Sequence, residues 1–319
     1  MNAASLKETD VAAALRPVLA IKLGALGDFI QALGPIAAIR RHHVGARIDL
    51  LTTAPFAALG EACPHIDRVL VDARPGAFDV GGWLALRRSL RNGNYGRVYD
   101  LQTSDRTGWY FRLMGPGRPE WSGIARGCSH PHANPNRDAM HTLDRQAEQL
   151  RAAGIAHVPA PDISWVRAEL ARFRLAPRYV LVVPGGAAHR PAKRWPLDRY
   201  AALARDLAIR GLQPVVIGGE AERPLGQKIA ARSTGAIDLT GRTSLIELCA
   251  IARGAAAAVG NDSGPMHVAA AAGVPSVVLF SAESDPKLCA PRGPHVAVLR
   301  RPEIQGLSLA EVEAALRLR

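Results

Sequence analysis

At 319 residues, with 48% hydrophobic and 21% charged side chains, the chain is long enough for two ordinary domains, and its composition excludes a disordered or fibrous protein. The net charge of +12 suits an anionic ligand, a nucleic acid or an anionic membrane surface, although nearly all of the 40 basic side chains are Arg, which codon bias alone would also produce. The first fifteen residues carry Lys7, Glu8 and Asp10 and lack the apolar h-region of a signal peptide, no stretch approaches the roughly 20 apolar residues of a membrane span, and Cys63, Cys128, Cys249 and Cys289 form no CxxC pair, so a cytoplasmic protein with reduced thiols is expected.

In the first half, Val18-Leu19-Ala20-Ile21 reads as a strand, and Gly24 to Asp28 as a loop. A helix runs from about Asp28 to His42, with Ile30, Leu33, Ile36, Ala37 and Ile39 at near-helical spacing. Strands follow at Ile48 to Leu51 and at Val69 to Val71. Trp83 to Arg91 is an amphipathic helix with Arg87, Arg88 and Arg91 on one side, either a solvated face or a contact for an anionic leaflet. Val98 to Leu101 resumes the sheet, and residues 154–178, rich in Pro and Ala, carry the chain between domains at 1–165 and 166–319.

The second half repeats the pattern. Strands are expected at Tyr179 to Val183, Pro214 to Ile217, 255–259 and Pro275 to Phe280. Helices are expected at Leu197 to Arg210, near Pro224 to Ser233, and from Val268 to about Gly273. A last helix at 308–318 belongs to the second domain or packs back on the first. Strands and helices in alternation give an α/β chain: two Rossmann-like, doubly wound parallel sheets facing each other across a cleft.

Four segments carry chemistry. Gly260-Asn261-Asp262-Ser263-Gly264-Pro265-Met266-His267 leaves a strand and enters a helix at the edge where open α/β sheets bind ligands. Asp262 or Ser263 is placed to cap that helix, Pro265 suits its first turn, and Gly264 leaves the helix amides open to a phosphate. The alternative is an ordinary capped helix. Gly24-x-x-Gly27-Asp28 is neither GxGxxG nor a Walker A loop. Asp28 either caps its helix, with Gln31 completing a capping box, or accepts a proton from an acceptor hydroxyl.

In Pro184 to Pro196, the small residues Gly185, Gly186 and Ala187 keep the backbone open, and Lys193 with Arg194 offers charge to a leaving phosphate, unless the segment is only a solvated basic loop. Gly218-Gly219-Glu220-Ala221-Glu222 puts a carboxylate where ribose hydroxyls can bind. Cys128, His130, His132 and His141 meet no standard ligand spacing, so no metal site is expected. Aromatics at 5% and the lack of a binding motif argue against nucleic acid.

Together, Ile21 through Asp28, Pro184 through Pro196, Gly218-Gly219 with Glu222, and Asn261 through His267 resemble glycosyltransferase family 9, the ADP-heptose:lipopolysaccharide heptosyltransferases. The resemblance implies a GT-B fold, with the acceptor in the first domain and the nucleotide sugar in the second. It implies an inverting, metal-independent transfer from an ADP-sugar, without a cofactor, to a lipid-linked saccharide at the inner membrane face, the enzyme being peripheral there. It further implies Asp28 as general base beside Gly24 and Gly27, Lys193 on phosphate, Glu222 on the ribose, and Asp262, Ser263, Gly264 and His267 on the diphosphate and sugar. Gly24-Ala25 stands where many members have Ser or Thr, and Gly186-Ala187-Ala188 lacks the hydroxyls that some use on phosphate. The alternatives are another GT-B enzyme, an epimerase included, or a donor-binding protein without catalysis.

Overall fold

The computed structural model describes residues 16–186 and 190–319. The chain divides between Pro161 and Asp162 into two units. The later part of the Pro-rich stretch belongs to the second: Ile163, Val166 and Phe173 are buried there, and Arg253 Nη1 donates to Val166 O at 2.6 Å.

The first unit is one six-stranded sheet in the order β3-β2-β1-β4-β5-β6. Its strands are β1 (Val18–Ile21), β2 (Ile48–Thr52), β3 (Arg68–Val71), β4 (Arg97–Asp100), β5 (Glu120–Gly123) and β6 (His130–Pro131), all paired in parallel. Every residue of β1 and β2 is buried, as a parallel sheet covered on both faces demands. The helices are α1 (Leu26–His42), α2 (Ala54–Glu61), α3 (Val80–Asn92), α4 (Asp105–Leu113) and α5 (Thr142–Ala152). Helix α1 buries an unbroken run from Phe29 to Ile39, more than one face, so it is an interior helix.

The second unit repeats this topology in the order β12-β11-β10-β7-β8-β9. Its strands are β7 (Tyr179–Val183), β8 (Gln213–Val216), β9 (Ile237–Asp238), β10 (Ala257–Asn261), β11 (Ser276–Phe280) and β12 (Val296–Arg300), again parallel. Its helices are α6 (Leu197–Ile209), α7 (Arg223–Ala230), α8 (Leu245–Gly254), α9 (Gly264–Ala271), α10 (Pro286–Cys289) and α11 (Leu309–Ala315). Val312 of the last helix and Leu316 just after it join Trp195, Leu207 and Ile304 in the second core.

In each unit the chain runs outward from a central strand, then returns to that strand's other side. The reversal falls between β1 and β4 in the first unit and between β7 and β10 in the second. Helix dipoles and loop ends converge at such switch points, on the carboxyl edge.

Candidate functional site

At the switch point of the second unit, Asn261 closes β10 with its side chain fully buried. Its Nδ2 donates to Pro184 O (2.8 Å) and Gly185 O (3.1 Å), and its Oδ1 accepts from the Trp195 amide (3.0 Å) and the Tyr200 hydroxyl (2.9 Å). A primary amide has two donors and two acceptor lone pairs, so Asn261 is fully satisfied and fixes both ends of the loop that leaves β7. Between those ends a 3-10 turn, Pro191–Lys193, delivers Lys193 to the first residue after β10. Lys193 Nζ lies 2.6 Å from Asp262 Oδ2, which also accepts from Ser284 Oγ at 2.9 Å. The two charged side chains are 11% and 10% exposed, so water screens the pair poorly.

Helix α9 starts at Gly264, four residues before the sequence places it. Ser263 is its N-cap by backbone conformation, but neither Ser263 nor Asp262 caps it: the Ser263 side chain makes no cap bond and its Oγ is buried without a partner, while the Asp262 carboxylate is held by Lys193 and Ser284. Pro265 has no N–H and the Met266 amide is taken by Ser263 O at 3.1 Å, so the anion-binding capacity of this end falls to the Gly264 amide. His267 is buried in the same first turn.

Glu222, after β8, turns back and accepts the Gly219 amide at 2.8 Å. Its side chain explains two glycines: a Cβ on Gly185 would lie 2.7 Å from Glu222 Cγ, and one on Gly218 2.8 Å from Glu222 Cβ. Gly186 O accepts from Arg194 Nη2 at 2.8 Å, so this arginine braces its own loop, with its Nε buried and unpartnered. Ala187 lies outside the described residues.

In the first unit, α1 begins at Leu26 with Ala25 as N-cap and no side-chain cap bond. This corrects the capping-box reading: Gly27 and Asp28 are already inside the helix, and Asp28 is a first-turn acid favoured by the helix dipole. The preceding loop is pinned, with the Leu23 amide donating to Gln102 Oε1 (3.0 Å) and Thr53 Oγ1 donating to Leu23 O (2.9 Å). Gly24 has φ +129°, and a Cβ there would meet the Phe56 ring at 2.7 Å, so the position requires glycine on both counts.

Lys22 lies within Ile21 through Asp28, but the motif alone gives it no role. It is buried and its Nζ donates to Leu101 O at 3.2 Å. Burial pushes its ammonium below the ordinary lysine range, opposed by the negative charges of Asp28 and Asp100. Asp100 ends β4, accepts the Gln102 (3.1 Å) and Thr103 (2.9 Å) amides, and is pushed up by burial to about 6. Arg145 on α5 also feels Asp28, and burial lowers its pKa. The one signal in the sequence is a lysine directly after an apolar strand. Ser284 has no such signal, since its contact with Asp262 spans separate loops.

Other candidate groups have local partners. Cys128 Sγ donates to Gly123 O (3.7 Å), His130 faces Glu120 (3.6 Å), His132 faces Glu148 (3.2 Å), and His141 Nδ1 caps α5 through the Leu143 amide (3.1 Å). On α3, Arg87, Arg88 and Arg91 are all exposed, and Arg87 and Arg91 donate to Leu113 O (3.1 Å) and Met114 O (2.9 Å). Among the described residues no helix is long and apolar enough to cross a membrane.

Residues 83–314 match the model of glycosyltransferase family 9 (heptosyltransferase). The chain is similar to lipopolysaccharide heptosyltransferase 2 of Escherichia coli, 28% identical over 306 residues covering 89% of this chain and 87% of that one. Among solved structures, it is similar to a family 9 glycosyltransferase of Veillonella parvula (TM-score 0.83, 22% identity, 94% and 95% covered). It is also similar to the E. coli heptosyltransferase WaaC with ADP (TM-score 0.75, 22% identity, 93% and 98% covered). These likenesses and the two parallel sheets assign the fold class as GT-B.

Proposed function

The chain belongs to glycosyltransferase family 9, the heptosyltransferases, and we propose that it moves a heptose or related sugar from an ADP-linked donor to a lipopolysaccharide-type, lipid-linked acceptor. The observation that carries this reading is the Lys193–Asp262 pair beside the amino end of α9, at the switch point of the second unit. A lysine, a Gly264 amide and the Ser263 hydroxyl form a suitable cradle for a diphosphate leaving group. The similar E. coli enzyme seen with ADP supports ADP as the nucleotide, and Glu222 is the carboxylate available for its ribose.

In this reading Asp28 takes the proton of the acceptor hydroxyl. The freed oxygen bonds to the anomeric carbon from the face opposite the diphosphate, the bond to the diphosphate oxygen breaks, and ADP departs with its new negative charge balanced by Lys193 and the α9 terminus. One displacement inverts the anomeric centre, and no step calls for a metal. A lipid-linked acceptor places the enzyme, as a peripheral protein, at the inner face of the inner membrane.

A panel of ADP, UDP, GDP and CDP tests the nucleotide. ADP at 100 times its dissociation constant should stabilise the second unit by about 2.7 kcal/mol, more than the others at equal concentration. Chelators should leave the transfer rate unchanged. A preference for UDP, dependence on a divalent ion, or release of an epimerised donor would contradict the reading.

A further inference from the structure

We propose that a rim made by Phe78, Val80 and Leu84, with Trp109 of the neighbouring helix, docks on the surface of an anionic lipid bilayer. These side chains are 97%, 68%, 55% and 56% exposed. In the second unit, by contrast, the exposed large hydrophobics among the described residues are Ile209 and Val298, on separate elements. Single exposed apolar residues are ordinary, whereas a group on adjoining elements marks an interaction surface.

The rim is built rather than loose. Phe78 sits in a turn closed by the Asp79 amide to Gly76 O (3.1 Å) and by Trp83 Nε1 to the same carbonyl (2.9 Å). Asp79 then caps α3 through the Gly82 amide at 2.8 Å. Val80 and Leu84, four residues apart, share a face of α3, and exposed Arg88 extends it by another turn. Helix α4 lies alongside, joined by the edge-to-face pair Trp83–Tyr110 (6.1 Å between centroids) and by Arg87 to Leu113 O. Trp109 points outward from it, with the Arg112 guanidinium 4.7 Å over its ring.

An apolar and aromatic surface edged by arginines fits the boundary of a bilayer, where rings and aliphatic stems enter the headgroup region and guanidinium groups meet lipid phosphates. A second copy of the chain is the poorer partner, because an isologous contact would set this arginine-edged patch against an identical patch of the same charge sign. Location agrees: α3 follows β3 and α4 follows β4, so the rim adjoins the carboxyl edge that carries Asp28. A lipid-linked acceptor would there present its sugars toward the base, and to that extent the inference rests on the function proposed above.

The test is sedimentation of the full chain with vesicles of phosphatidylethanolamine and phosphatidylglycerol, without donor or acceptor, so that its outcome is independent of sugar transfer. Phe78→Ser/Leu84→Ser should lower the partition coefficient by roughly tenfold or more at every salt concentration. Arg88→Glu/Arg112→Glu should weaken binding at low salt, the difference fading as salt screens it. Both pairs are exposed, so unfolding midpoints should stay put, and turnover on a soluble delipidated acceptor should be retained. If the apolar pair did unfold the chain, the arginine pair with its salt dependence would decide. Vesicle binding unchanged in both variants would overturn the proposal. So would a stable dimer of the unmodified chain that the apolar pair turns into a monomer without affecting vesicle binding.

Discussion

Lys193 and Asp262 form an ion pair of 2.6 Å between the loop that leaves β7 and the turn that leaves β10, the two strands flanking the switch point. The lysine assigned to the departing phosphate is therefore already neutralised in the protein as it stands, and a donor diphosphate must share it or displace the carboxylate. Removing either member of a largely buried pair strands the other. Lys193→Met and Asp262→Asn should each destabilise the second unit, and the double variant should lose less than their sum, with a coupling of about 1–3 kcal/mol. Denaturant unfolding of the four proteins gives the cycle, and strict additivity would show that the pair contributes nothing.

The loop that carries Lys193 depends on Asn261. Asn261→Ala would leave the Trp195 amide and the Pro184 and Gly185 carbonyls without their partner, while the Tyr200 hydroxyl keeps Val183 O at 3.3 Å, at a cost of about 3 kcal/mol. Nucleotide affinity should fall with it even though Asn261 is proposed to touch no ligand. Urea unfolding together with ADP titration would show both losses, and an affinity unchanged in a destabilised protein would separate the loop from the nucleotide.

Gly185→Ala is a sharper probe of Glu222. The added Cβ would sit 2.7 Å from Glu222 Cγ, so the carboxylate must swing away from the Gly219 amide. If Glu222 holds the ribose, the KM for the ADP-sugar should rise while the KM for the acceptor stays constant. Equal changes in both would assign Gly185 to general stability of the loop.

Two groups in the first unit give stability an opposed pH dependence. Burial holds His43, whose Nε2 lies 2.8 Å from the Tyr99 hydroxyl, down at about 4. The unfolded chain binds that proton near the ordinary value of about 6.5, so His43 makes stability fall as pH drops from 6.5 toward 4. Asp100 is raised to about 6, so the folded state keeps a proton that the unfolded chain releases near pH 4, and its contribution falls as pH rises from 4 to 6. His43→Asn should therefore flatten the acid loss, and Asp100→Asn should steepen the rise of stability with pH over the same interval. Unfolding midpoints from pH 4 to 7 check both signs, and parallel curves for all three proteins would contradict them.

Strands buried on both faces are the legible part of this fold. Val18–Ile21 and Tyr179–Val183 are unbroken apolar runs and coincide with β1 and β7. Short outer strands such as Glu120–Gly123, His130–Pro131 and Ile237–Asp238 have no run or alternation to betray them; pairing with a neighbour makes them strands. Helix α4 is hidden by Gly108 and by a cap in which Thr107 replaces the usual acid, and α5 by its histidine cap. Helix α8 does carry a readable signal, the capping box of Ser244 and Glu247. At the site, the glycine and lysine motifs are visible because their chemistry is local. Lys22 with Asp100 and Ser284 with Asp262 are not, since only the folded chain brings them together.

Asp28, in the first turn of α1 and not at its cap, is the proposed base for the acceptor proton. Asp28→Asn keeps the shape and removes the base, so the decisive measurement is single-turnover transfer from the ADP-sugar, with ADP affinity measured in parallel. The rate should be lower by about 10²–10⁴ with nucleotide affinity unchanged. Turnover by Asp28→Asn close to that of the unmodified enzyme would contradict it.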